Sequence, residues 1–180
     1  MTDARTELLD LLPKNSVGAE IGVHKGDFSA RILDIVNPKK LYLIDPWLCF
    51  DEDTYDNSWY GKTTAQKELD NRYESVKNKF STNNNVSILR KLSYNAANDI
   101  PDNSLDFVYI DGDHTFKGVC ADFDAFYPKV KKGGYICGDD YTNKSWWGSG
   151  VIDAVEHNLN TKAIKLHSII KSQYCCIKLK

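Results

Sequence analysis

The stretch Val17-Gly18-Ala19-Glu20-Ile21-Gly22-Val23-His24-Lys25-Gly26-Asp27 decides the fold. Its first part, residues 17–23, is an apolar run of the length of a buried strand. Gly22 and Gly26 then let the backbone turn tightly and approach a ligand without a Cβ in the way. Residues 27–36 carry a helical period that Asn37-Pro38 stops. Outward from this unit the same alternation repeats. Further strands are expected at 41–44, 86–89, 105–110 and 135–137, and a closing pair at 164–169 and 173–179. Helices are expected at 63–80, 116–130 and 151–159. Phe116, Val119, Phe123 and Phe126 fall on one stripe of the second of these, a core-facing pattern. Strand–helix alternation predicts an α/β fold, a three-layer, doubly wound, mostly parallel sheet with helices on both faces. Such sheets bind ligands beyond the carboxyl ends of their strands.

Composition agrees with one globular domain over residues 1–180. Hydrophobic residues make up 42%, and the formal net charge is -2. This excludes a disordered or low-complexity chain. The near-balance of charge argues against nucleic-acid or membrane partners recruited by electrostatics. Five cysteines without a Cys-x-x-Cys pair indicate neither zinc nor a dithiol site; Cys175 and Cys176 are expected on opposite faces of a strand. Residues 1–12 carry Asp3, Arg5, Glu7 and Asp10, unlike a signal peptide. No apolar run reaches the ~18–20 residues of a membrane span. A soluble, cytoplasmic protein is expected.

The residues just past each strand carry the chemistry. Glu20 precedes a Gly-x-x-x-Gly turn, which differs from the Gly-x-Gly-x-x-Gly that seats a dinucleotide pyrophosphate. An acid facing this turn would repel phosphate and suit an amino group or a positive charge. Asp45 ends the second strand, where a carboxylate can accept both hydroxyls of a ribose; an aspartate capping the turn before Pro46 would look the same. Together Glu20, Gly22, Gly26 and Asp45 point to an adenosine ligand without phosphate. Asp111-Gly112-Asp113-His114 follows the fourth strand, and Gly138-Asp139-Asp140-Tyr141 the fifth. Like charges converging at one mouth need compensation, which a hard divalent cation held by carboxylates supplies economically.

With these residues in place, the chain resembles the class I S-adenosylmethionine-dependent methyltransferases from about Val17 to Leu179. Ile110-Asp111-Gly112-Asp113-His114, Gly134…Gly138-Asp139-Asp140-Tyr141, Asp45-Pro46-Trp47 and Tyr60-Gly61 resemble the metal-dependent sugar O-methyltransferases of the macrocin and novobiocin type. The resemblance implies a seven-stranded sheet whose last strand is antiparallel. It implies S-adenosylmethionine and Mg²⁺ (or Mn²⁺) as cofactors. It assigns Glu20, Gly22 and Gly26 to the cofactor's methionine end, Asp45 to the ribose and Ser93 to the adenine side, and counts Val23, Ser29 and Pro46 among the cofactor-binding residues. Asp111, Asp139 and Asp140 match the metal ligands and Asp113 the general base; Asp111 and His114 are also assigned to the cofactor.

Two aromatic segments are expected to wall the acceptor. One is 47–60, with Trp47, Phe50, Tyr55, Trp59 and Tyr60 among Asp51, Glu52, Asp53 and Asp56; the other is 141–150, with Tyr141, Trp146 and Trp147. The reading implies a small-molecule or glycan acceptor and is compatible with a homo-oligomer. Only about 15 residues precede the first strand, fewer than the resemblance implies for an acceptor lid. A catechol or other phenol is the alternative acceptor. A nicotinamide-dependent oxidoreductase is the alternative class, and the glycine pattern and surplus acids argue against it.

Overall fold

The computed structural model describes residues 3–53, 58–61 and 64–180. Tyr55 and Asp56 of the first expected wall lie outside the described residues, as does residue 63 at the expected start of a helix. The chain runs α1 (Ala4–Leu11), β1 (Val17–Ile21), α2 (Asp27–Ile35), β2 (Lys40–Ile44), α3 (Gln66–Lys79), β3 (Val86–Leu89), α4 (Ser93–Ala96), β4 (Leu105–Ile110), α5 (Phe116–Phe126), β5 (Val130–Gly138), α6 (Gly150–Thr161), β6 (Ile164–Ile170) and β7 (Gln173–Lys178). The strands form one sheet in the order β3-β2-β1-β4-β5-β7-β6. β3, β2, β1, β4 and β5 pair in parallel, and β7 runs antiparallel to both β5 and β6. The expected mostly parallel sheet with an antiparallel last strand is therefore present.

Successive strand side chains point to opposite faces, so each strand feeds two cores. On β4, Phe107 and Tyr109 join Leu8, Leu9, Ile32, Leu69 and Val76 from α1, α2 and α3. Val108 and Ile110 join Val119, Phe123, Val151 and Val155 from α5 and α6 on the other face. Cys175 and Cys176 divide between the two cores in the same way, and all five cysteines are free thiols.

The structure departs from the expected elements by the short helix α4 and at three further places. α5 ends at Phe126, before Pro128. β5 begins at Val130, not at residue 135: its pairing with β4 jumps from Leu105↔Val130 to Phe107↔Tyr135, with Gly133 at φ +79° inside the irregular stretch. The residues before β1 form α1, capped by the Asp3 carboxylate accepting from the Arg5 and Thr6 amides. Among the described residues no helix is long and apolar enough to cross a membrane.

Candidate active site

The ends of β2, β1, β4 and β5 lie side by side and bring the expected residues to one mouth. The Gly22 amide donates to Ile44 O, Asp111 N to Ile21 O and Asp139 N to Ile110 O, at 2.9, 2.8 and 3.2 Å. Gly22 sits at φ +88°, and a Cβ there would stand 1.9 Å from the Asp111 carbonyl oxygen, so only glycine fits. Gly26, at φ +71°, is the N-cap of α2.

Glu20 is 1% exposed on β1, and the Ser29 hydroxyl on α2 donates to it at 2.5 Å. Burial pushes its carboxyl up to about 8, against the Ser29 bond and with help from the Asp111 charge. Burial thus favours the protonated form of Glu20 at neutral pH. Val23 is buried beside it in the turn.

Asp45 lies where a ribose carboxylate was expected, with its acceptors already engaged. Oδ2 accepts from the Val23 and His24 amides at 3.0 and 2.9 Å and from the Tyr60 hydroxyl at 2.6 Å; Oδ1 accepts from the Trp47 amide at 2.7 Å. Burial raises Asp45, while these bonds oppose the rise. The Tyr60 hydroxyl, expected on an acceptor wall, is thus turned onto Asp45. Trp47 corrects the expectation more sharply. It is fully buried at φ +41°, its indole N–H donates to His24 O at 2.9 Å, and its ring packs 5.2 Å from Tyr73. It is a core residue under the turn. His24 stacks on exposed Trp59 at 4.4 Å, so residues 58–60 lie over the glycine turn.

Beside the end of β2, Pro46 lines a cavity of about 500 Å³ with Leu48, Arg90, Lys91, Leu92 and Asn95. Ser93 opens α4, and its hydroxyl donates to the Asp122 carboxylate on α5. Burial pushes Asp122 up to about 7, against the Ser93 bond. Asp122 was not singled out from the sequence: it reads as one more polar residue of an amphipathic helix.

The acidic mouth is rearranged relative to the expected ligand set. Asp111, His114 and Asp140 each offer one ligand atom, all within 4.8 Å of one another. His114 Nε2 lies 3.4 Å from Asp111 Oδ1 and 3.2 Å from Asp140 Oδ2. Burial alone would lower His114, but its bond to Asp111 and the charges of Asp111, Asp140 and Asp113 outweigh burial and raise it. Burial pushes Asp140 up to about 6 despite His114, and Asp139 and Asp111 add to the rise. Asp140 holds φ +62°, uncommon for a residue with a side chain and frequent at functional sites.

Asp139, expected as a ligand, is outside this group. Its Oδ1 accepts from the Asp140 amide at 2.7 Å, Ser172 Oγ at 2.9 Å and Gln173 Nε2. Its Oδ2 accepts from Arg5 Nε at 2.8 Å and Nη2 at 2.5 Å. Arg5 Nη2 also donates to Asp111 Oδ2 at 3.0 Å. Part of the compensation expected from a metal ion is thus supplied by the chain itself. Arg5 carried a legible signal: Arg5, Leu8, Leu9 and Leu12 lie at i, i+3, i+4, i+7, one helix face. Asp113, the expected base, accepts from the Thr115 amide at 2.8 Å and lies against Gly118 at the start of α5.

Of the second expected wall, Trp147 packs 4.6 Å from the His114 ring, and half-exposed Trp146 meets Trp147 edge-on at 5.6 Å. Tyr141 packs on Tyr174 at 6.3 Å. A divalent cation fits the donor chemistry of Asp111, His114 and Asp140, since carboxylate oxygens and an imidazole nitrogen converge there.

This arrangement, a glycine turn with paired acids on a doubly wound sheet of order 3-2-1-4-5-7-6, has the fold of class I S-adenosylmethionine-dependent methyltransferases. The chain belongs to the methyltransferase domain family, whose model matches residues 19–141. A curated relative, the uncharacterized protein R132 of Acanthamoeba polyphaga mimivirus, is 33% identical over 132 residues, covering 71% of this chain and 52% of that protein. The chain thus spans about half the length of that relative. Among solved structures, the O-methyltransferase NovP superposes with a TM-score of 0.67 at 20% identity, over 98% of this chain and 80% of NovP. SMU.1697c of Streptococcus mutans, solved in complex with SAH, superposes with a TM-score of 0.63 at 12% identity, over 97% of this chain and 95% of that one.

Proposed function

We propose that the chain transfers the methyl group of S-adenosylmethionine to a hydroxyl of a saccharide or glycoside, assisted by a divalent cation. The observation that carries this reading is the meeting of Asp111, His114 and Asp140 beside the glycine turn of β1. Family membership supports the methyl transfer, and a fold shared with an O-methyltransferase is consistent with an oxygen acceptor. Asp111, His114 and Asp140 would hold the cation, which when bound makes an acceptor hydroxyl more acidic. The methyl donor brings its own activated group, a sulfonium.

The chain's residues do the rest. Glu20, whose burial favours the proton, releases it to solvent as its carboxylate comes to face the donor's ammonium group. Asp45 exchanges the Tyr60 hydroxyl for those of the ribose. Ser93, fixed by Asp122, meets the adenine edge. Trp147, against His114, and Trp146 offer flat apolar faces to a sugar ring beside its hydroxyls. Asp113 takes the acceptor proton, an effect typically worth ~10²–10⁴ in rate.

A methyl-transfer assay on a panel of glycosides and catechols, with and without chelator, tests this reading. Glycosides should be methylated, activity should vanish in EDTA, and Mn²⁺ or Mg²⁺ should restore it. Asp113→Asn keeps an acceptor for the Thr115 amide, so turnover should collapse with the melting temperature unchanged. Full turnover in EDTA would remove the cation, methylation of catechols alone would remove the sugar, and near-normal turnover of Asp113→Asn would leave Asp113 a helix cap.

A further inference from the structure

We propose that Arg5 is a built-in counter-cation that keeps Asp139 out of the coordination shell and confines a divalent cation to Asp111, His114 and Asp140. The inference rests on the divalent cation of the proposed function. Its consequence is a site that prefers Mn²⁺ to Mg²⁺.

Three observations carry it. Asp139 is saturated. A carboxylate offers about four lone-pair sites, and Asp139 already accepts from the Asp140 amide, Ser172, Gln173 and two nitrogens of Arg5. Asp111 is divided between the two cations of the mouth, Oδ2 facing Arg5 and Oδ1 facing His114. Arg5 is held in place: its guanidinium lies 5.0 Å from the Phe28 ring centroid. Its helix is anchored by buried Leu8 and Leu9 and by the Arg31–Asp3 ion pair at 2.7 Å.

A guanidinium does not lose its proton in a protein, so this positive charge is permanent. It is shared between Asp139 and one oxygen of Asp111, where a cation would otherwise meet three carboxylates. What is left is two carboxylates and one imidazole. Mg²⁺ demands oxygen ligands and near-ideal octahedral geometry, whereas an imidazole nitrogen favours later first-row metals.

Calorimetric titration of the chelator-treated protein with MnCl₂ and with MgCl₂, without methyl donor or acceptor, tests the assignment. The unaltered chain should bind Mn²⁺ about tenfold or more tighter than Mg²⁺. Arg5→Met should bind Mg²⁺ about tenfold tighter than the unaltered chain, because Asp139 becomes available and a nearby positive charge is gone. Arg5→Lys should stay close to the unaltered chain, and Asp139→Asn added to Arg5→Met should cancel the gain. An arginine that merely supported the ligands would do the reverse: its loss would weaken cation binding about 10–100-fold. Equal or weaker Mg²⁺ binding by Arg5→Met overturns the role of Arg5 alone. Absence of cation binding by both the unaltered chain and Arg5→Met overturns it together with the cation of the proposed function. Should Arg5→Met fail to fold, Asp139→Asn decides: retained Mn²⁺ binding supports the assignment, and its loss makes Asp139 a ligand and overturns it.

Discussion

Glu20 shows at the scale of one residue how burial sets up a site. A carboxyl 1% exposed on a central strand, with Ser29 as its hydrogen-bond donor, is pushed up to about 8. Its ordinary value is 4.5. The folded state therefore binds this proton more tightly than the unfolded chain, and stability is lost as pH rises from about 4.5 towards about 8. Glu20→Gln removes that dependence. In thermal unfolding across this range, the melting temperature of Glu20→Gln relative to the unaltered chain should climb with pH and level off above about 8. A constant difference would mean that Glu20 is ionised throughout. That the acids of the site gather at neighbouring strand ends was legible in the sequence, because a parallel sheet brings the carboxyl ends of its strands together. Their orientation was not. Asp139 and Asp140 are neighbours, yet one turns to Ser172, Gln173 and Arg5 and the other to His114. Those partners lie more than 25 residues away along the chain, and local pattern carries no information about them. Trp47 failed for a related reason: an aromatic in a polar segment reads as surface until its indole is seen to donate to His24 O.

At the scale of the element, strands and long helices were legible because burial imposes a period. Phe107 and Tyr109 alternate with Val108 and Ile110, and Val119, Phe123 and Phe126 share the buried stripe of α5, whereas Phe116, expected on that stripe, is 45% exposed at the helix start. Shorter or irregular pieces were not. α4 spans four residues, too few for a period to show, and the displaced register in β5 hides its first residues from any alternation. α1, eight residues long, shows its period only in the spacing of Arg5, Leu8, Leu9 and Leu12, and it brings Arg5 to the acidic mouth. Isolated helices this short are marginal in water, so α1 depends on docking Leu8 and Leu9 against α2 and the sheet. Leu8→Ala should cost about 2–5 kcal/mol in urea unfolding. A cost under about 1 kcal/mol would mean that α1 is not docked, since a buried leucine cannot be removed so cheaply.

The whole molecule is a sheet whose strand order places four carboxyl ends in a row, β2, β1, β4 and β5. That order assembles the mouth from segments as distant as Glu20 and Asp140, with Glu20 on β1 beside Asp111 at the end of β4. The charge of the mouth is partly balanced from within by Arg5, and burial favours the protonated forms of Glu20 and Asp122. The central claim is that this row of strand ends binds a sulfonium nucleoside and not a phosphate-bearing dinucleotide. Thermal unfolding with S-adenosylhomocysteine and, separately, with NAD tests it most directly, because a ligand that binds only the folded state raises the melting temperature. S-adenosylhomocysteine should raise it in a concentration-dependent way that Asp45→Ala abolishes, and NAD should leave it unchanged. A rise with NAD, or none with S-adenosylhomocysteine at saturating concentration, would contradict the account.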